Sequence, residues 1–259
     1  MSLIDRYAYS NALRKIDPLY KGGVVLLFIV LCLVLNEPQV GLTAALWMFL
    51  LAVALARIPW RVFAGILFGE LAFLFLATLA VVLSVSIHPP VLNDGWALPL
   101  GPLWIVTSQA ALNQGASLIF RALGAAAAMN FLALTTPMLD IIQLFHRLRL
   151  PSIFIDLMTL MYRFIFVLLE SLHRMVRAQD SRLGFAASNW RRMQNTAWIA
   201  THLFMESFLR SRRLQLALAS RGYDGSDLRV LPSHYEKDVR FLVWCLSGTV
   251  VLLLVWRLI

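Results

Sequence analysis

Apolar runs and short polar breaks alternate along the chain. Residues 22–35, 40–56, 62–87, 103–136 and 241–259 carry almost no charge. Runs of this kind, approaching or exceeding about 20 residues, predict bilayer-spanning helices. The breaks are punctuated by turn residues: Asn36-Glu37-Pro38-Gln39, then Arg57 with Pro59 and Arg61, then His88-Pro89-Pro90. A Pro/Gly-rich loop holding Asp94 and no Lys or Arg runs on to Gly101 and Pro102. The run 103–136 is longer than one span needs, so an interfacial segment is expected at its start.

Basic residues set the direction, because loops rich in Lys and Arg stay inside. Arg6, Arg14, Lys15 and Lys21 place the N-terminus inside, as do Arg57 and Arg61 for their loop and Arg147 and Arg149 for the segment after Pro137. The turn at Glu37 and the loop at Asp94 fall outside. Residues 153–169 are a further apolar stretch, short and interrupted by Asp156 and Arg163. A single crossing there would put Arg174, Arg177, Arg182, Arg191, Arg192, Arg210, Arg212, Arg213 and Arg221 outside. The expectation is that it lies at, or dips into, the inner face, leaving five spans and an external C-terminus; six spans is the alternative.

The fold class is therefore all-α: a polytopic membrane protein of about five transmembrane helices plus cytoplasmic amphipathic helices. Three regions follow: 1–136 (N-terminal tail and spans 1–4), 137–239 (cytoplasmic helices) and 240–259 (last span). In the middle region, 171–185 mixes apolar residues with arginines at helical spacing, and a second pattern runs over 190–208. A third, 209–220, ends at Arg221-Gly222, where glycine is a natural helix stop. Arg182 and Arg221 sit among small residues. Basic amphipathic helices lie on anionic lipid or dock into a partner's groove; the small neighbours favour the groove, where an arginine's planar fork meets carboxylates or carbonyls.

Composition agrees. The 259 residues are 60% hydrophobic and only 14% charged, against about 25% charged in soluble domains. The net charge of +9 comes from 23 Lys+Arg, of which only Lys15, Lys21 and Lys237 are lysines. On a membrane chain such charge reads as topology and not as nucleic-acid binding. Cys32 and Cys245 fit no disulfide framework, and no signal-peptide pattern precedes the first run. There is no phosphate-loop signature. His88, His146, His173, His202 and His234 do not pair at metal-ligand spacing. No catalytic, cofactor or metal residue is assigned.

Two charges, Glu70 and Arg121, fall inside spans. Depth counting separates them by about 10 Å, which argues against a direct pair. Gly65 and Gly69 form a G-x-x-x-G in the third span, and Gly124 opens a small-residue run in the fourth. Such residues permit close helix approach, within the chain or to a second subunit.

At this point the chain resembles a known family. Arg177-Ala-Gln-Asp-Ser-Arg-Leu-Gly184 and Ala219-Ser-Arg-Gly-Tyr-Asp-Gly225 look like the two arginine-centred signatures of the T components of energy-coupling factor (ECF) transporters. Ile4-Asp-Arg-Tyr-Ala-Tyr9, Asp17-Pro-Leu-Tyr-Lys21, Thr135-Thr-Pro137, Leu148-Arg-Leu-Pro151 and Met161-Tyr-Arg163 are similar to the cobalt-associated branch, CbiQ. The first signature departs mildly, with Ser-Arg-Leu where many T components have Ala-Arg-Gly.

The resemblance implies a non-enzymatic coupling subunit in a cell (inner) membrane. It would join ABC ATPase subunits to a small membrane-embedded substrate-binding subunit, most directly for cobalt, with nickel or a vitamin as alternatives. Ser181, Arg182, Leu183, Ser220, Arg221 and Gly222 would dock the ATPases. Gly65, Gly69 and Gly124 would serve helix packing or contact with the substrate-binding subunit. A membrane-embedded transferase, suggested by Asp224-Gly-Ser-Asp227, lacks further carboxylates at helical spacing. A self-contained secondary transporter is disfavoured, because five spans without an evident internal repeat or broken-helix pair argue against it.

Overall fold

The computed structural model describes residues 3–35, 37–86, 95–100, 103–182, 188–223, 235 and 239–258. These form two compact units: Ser2–Pro137 with Ser233–Ile259, and Met138–Pro232.

The first unit begins with a short amphipathic helix α1 (Leu3–Ser10) and then α2 (Pro18–Leu35). Proline suits the first turn of a helix, where its missing N–H has no partner to lose. Asp17 precedes it, and its carboxylate accepts from the Leu19 N–H at 3.0 Å. Proline also stands in the first turn of α3 (Pro38–Leu50), after Glu37 at the cap, whose side chain makes no capping hydrogen bond. A π-helical turn, Leu51–Leu55, continues α3. Arg57, at φ 55°, then turns the chain into α4 (Trp60–Val82). α5 (Gln109–Thr135) and α9 (Val239–Leu258) complete the bundle.

α5 is the axis on which α2, α3 and α4 pack. The buried face of α3 carries Val40, Gly41, Ala44, Ala45, Met48 and, past the π turn's start, Leu51 and Ala52. This is a helical stripe of small and aliphatic residues. It meets Leu123, Gly124, Ala127, Ala128 and Phe131 in the same core. α9 returns against α3 and α2. Phe241 stacks on Phe131 with centroids 6.4 Å apart, and Trp244 tilts against Trp47 at 6.1 Å. The outward residues, among them Leu26, Val34, Phe68, Phe73 and Leu76, are large, apolar and exposed, as lipid-facing positions are.

Three details refine the sequence reading. First, the run 103–136 divides before its helix begins at Gln109. Leu103–Ser108 is a strand, β3, pairing antiparallel with both β1 (Ser84–Ser86) and β2 (Gly95–Leu100). β-branched and aromatic residues at Trp104, Ile105, Val106 and Thr107 favour a strand. Ser108 then caps α5 by accepting from the Ala111 N–H. Second, Lys21 is fully buried, whereas Arg6, Arg14 and Lys15 are exposed. Third, residues 153–169 are not a short isolated stretch. They run unbroken into a helix of 29 residues, α7 (Ser152–Asp180).

That third correction alters which helices qualify as spans. Five helices are long and apolar enough to cross: α3 with its π turn, α4, α5, α7 and α9. The apolar part of α2, Pro18–Val34, is slightly shorter. The number expected from sequence is met, with α7 in place of α2 on the length criterion.

The second unit holds α6 (Met138–Arg147), α7 and α8 (Asn189–Ser220). Arg149, at φ 59°, ends α6, with the Leu150 N–H reaching Phe145 O. α7 packs on both α6 and α8.

Candidate docking site

The candidate docking residues occupy the ends of α7 and α8, and both ends are built alike. Ser181 Oγ donates to Ala178 O, and Ser220 Oγ donates to Ala217 O. Each serine thus folds back on the carbonyl three residues earlier, and an exposed arginine follows it, Arg182 or Arg221. The close of α8 is a Schellman motif: Tyr223 N–H bonds Leu218 O and Gly222 N–H bonds Ala219 O, with Gly222 at φ 72°. This left-handed conformation is why glycine stands after Arg221. Leu183 lies outside the described residues, as do Asp224, Asp227 and His88.

The two arginines are not brought together. Arg182 lines a cleft of about 440 Å³ between α7 and α8 with Met175, Gln179, Ile199 and His202. Arg221 ends α8 some 20 residues beyond Ile199 and His202, or about 30 Å along the helix axis.

Between these ends lies a polar crossing that sequence reasoning missed. Ser171 is buried on α7, and its hydroxyl donates to the Glu206 carboxylate of α8 at 2.6–2.7 Å. Arg210 holds the same carboxylate through Nε and a terminal nitrogen at 3.1 and 2.6 Å, and Arg174 donates to Ser171 Oγ at 3.0 Å. The serine bond, and then Arg210, hold the Glu206 carboxyl below the usual carboxylate range. Among the described residues, no three His, Cys, Asp or Glu come together as a metal site.

In the membrane unit, Gly124 lies against Gly41: a Cβ at 124 would meet Gly41 O at 2.6 Å and Cys32 Sγ at 3.1 Å. Gly65 and Gly69 have nothing within 4 Å of the space a Cβ would fill. Glu70 accepts from the Asn130 amide at 2.8 and 2.9 Å. Asn130 lies nine residues beyond Arg121 on α5, or about 14 Å along the axis, so Glu70 sits at the depth of Asn130.

Comparison with known proteins bears on this architecture. The profile of the CbiQ family, described as cobalt transport protein, matches residues 9–231. Cobalt transport protein CbiQ of Rhodobacter capsulatus is 36% identical over 177 residues, covering 68% of this chain and 65% of that protein. CbiQ of Salmonella typhimurium is 28% identical, covering 87% of this chain and 98% of its own. The energy-coupling factor transporter transmembrane protein EcfT of Bacillus selenitireducens is 27% identical, covering 93% and 88%. Together with the apolar helices, these likenesses define a multi-pass membrane protein of the transport class, not an enzyme. Within that class, the chain belongs to the CbiQ cobalt transport protein family.

Proposed function

We propose that this chain is the transmembrane coupling subunit of an ECF-type importer for cobalt ions. It would pass ATP-driven motion from cytoplasmic ATPase subunits to a small membrane-embedded substrate-binding subunit. The observation that carries this is the repeated helix end. Two helices of one unit each close on a serine–arginine pair with the arginine exposed, at points well apart along α8. Two separated, similar docking points suit a pair of like ATPase subunits. The guanidinium is suited to grooves lined with carboxylates or carbonyls.

The relatives' names support the transporter reading, and the cobalt cargo rests on the CbiQ relatives. In this reading the second unit and the N-terminus are cytoplasmic and the membrane is the cell (inner) membrane. The open faces of Gly65 and Gly69 on α4, and the small-residue run beginning at Gly124, are offered as helix-packing or substrate-subunit contacts.

The test is the double variant Arg182→Glu, Arg221→Glu in the assembled transporter. Loss of the co-purifying ATPase subunits, or ATP hydrolysis without cobalt uptake, is expected. Normal assembly and uptake would overturn the coupling role.

A further inference from the structure

At one end of the membrane unit, the N-terminal segment is fastened to the last turn of α5. Lys21, fully buried on α2, donates from Nζ to Thr135 O at 3.1 Å. The Asn11 amide lies within reach of Leu134 O at 3.4 Å and Thr135 O at 3.3 Å. The same amide reaches back to Ala8 O at 2.7 Å and Tyr7 O at 3.1 Å, at the close of α1. Next to it, Ala12 N–H donates to Ala56 O, just past the π turn that extends α3. Ala8 is buried, and Leu13 and Ile16 join the apolar core and seat the strap there.

The last carbonyls of a helix have no intrahelical donor, and the helix dipole leaves that end negative. Pro137 has no N–H to continue the ladder. An ammonium and an amide are therefore suitable groups for this end. The location gives them their meaning: Pro137 is the last residue of the membrane unit before the chain enters the unit of α6, α7 and α8.

Burying an ammonium carries a desolvation cost, and the Thr135 carbonyl it meets is a backbone group that no substitution removes. Asn11 Oδ1 and Thr136 Oγ1 are also buried at this junction without a hydrogen-bond partner among the described residues. Such groups cost free energy. A donor directed at one carbonyl also fixes that carbonyl's position, because a hydrogen bond is directional and apolar contact is not.

We propose that Asn11 and Lys21 are positioning residues that clamp the end of α5, so that movement of the unit after Pro137 is transmitted to the spanning helices instead of being absorbed at the Thr135–Pro137 junction. This rests on the coupling role proposed above. When the clamp is released, ATP is still hydrolysed but less of the motion reaches the bundle.

The test uses the complete transporter with Lys21→Met, which keeps the side chain's length and removes its charge and donors. Asn11→Ala serves as a second, smaller lesion should the first fail to assemble. Expected are normal co-purification of the ATPase subunits, near-normal ATP hydrolysis and melting, and uptake per ATP reduced about tenfold, within the range of site-to-site couplings. Lower yield and melting temperature with unchanged uptake per ATP, in whichever variant assembles, would make the clamp merely structural and overturn the proposal. A wild-type chain that never co-purifies with ATPase subunits overturns the coupling role itself, a result visible before any variant is made.

Discussion

Gly41 on α3 and Gly124 on α5 mark one close approach of two helix backbones: Gly41 fills the space a side chain at 124 would take, and the α5 backbone just before Gly124 fills the space a side chain at 41 would take. A Cβ at Gly41 collides with the Phe120–Arg121 backbone, and one at Gly124 with Gly41 O and Cα. Rigid backbone, not a flexible side chain, blocks both, so no rotamer change relieves the clash. Gly124→Leu is expected to force α3 and α5 apart, destabilising by about 1–3 kcal/mol or more. Gly65→Ala and Gly69→Ala enter open space. These two are expected to leave the melting of the purified chain in detergent unchanged. If they also weaken capture of the substrate-binding subunit, the outward face of α4 is a contact surface.

Ser171 and Glu206 make a different kind of crossing, one that depends on charge. The Glu206 carboxyl is held below its ordinary value by Ser171 first and by Arg210 second. A carboxylate with a lowered folded-state pKa contributes stability that is present above its unfolded pKa and lost as pH falls through the folded value. The α7–α8 contact should hold at neutral pH and loosen below the ordinary glutamate value of 4.5. Glu206→Gln should remove that acid dependence. Ser171→Ala should cost about 1.5–3 kcal/mol, as hydrogen bonds to charged groups do. Amide exchange in α7 and α8 as a function of pH checks both: unchanged protection in Ser171→Ala would show that the crossing is held by apolar packing alone.

Glu70 and Asn130, both half-buried, join α4 to α5. Removing the amide leaves an acidic group in an apolar setting, whereas removing the acid leaves only a neutral amide. Asn130→Leu is therefore expected to destabilise more than Glu70→Leu. The double change should recover part of the loss, because interhelical polar contacts in membranes contribute only about 0.6–2 kcal/mol. Melting of the two single variants and the double variant forms a double-mutant cycle, and strict additivity would show that the two residues do not interact.

What was legible in the sequence follows from range. The apolar runs and Gly222 closing α8 are local signals, and the structure has helices along the runs and the glycine at φ 72°. β3 was hidden because Leu103–Ser108 is as apolar as the helix that follows, so hydropathy alone cannot separate the two. α7 looks short in sequence because the charges after Leu169 read as a boundary. Helix propensity, which Glu170, Arg174 and Arg177 satisfy well, carries it on to Asp180. Pairings such as Ser171 with Glu206, or Lys21 with Thr135, join residues 35 and 114 positions apart. Nothing in either residue's neighbourhood names its partner. Lys21 shows the cost of this: in sequence it is one more positive charge, and in the fold it is a buried helix cap.

The course of α7 decides the topology, and its two halves pull in opposite directions. Ile153, Leu157, Met161, Ile165 and Leu169 leave an exposed apolar edge at four-residue spacing, and the helix is long enough to cross. A crossing, however, would carry Arg191, Arg192, Arg210, Arg212 and Arg213 of α8 to the outer side, against the bias that retains arginine inside. Retention of α8 on the side of the N-terminus is the expected outcome, with α7 lying along the membrane surface and its apolar edge turned toward lipid or the partner subunit. Cysteines placed at the exposed Ser10, Ser188 and Ser220 report this, because native Cys32 and Cys245 are buried. In intact cells all three positions should resist a membrane-impermeant maleimide and react only after permeabilisation. Labelling of Ser188→Cys and Ser220→Cys, with Ser10→Cys protected, would instead establish α7 as a sixth span and place the candidate docking arginines outside, where no cytoplasmic ATPase could reach them.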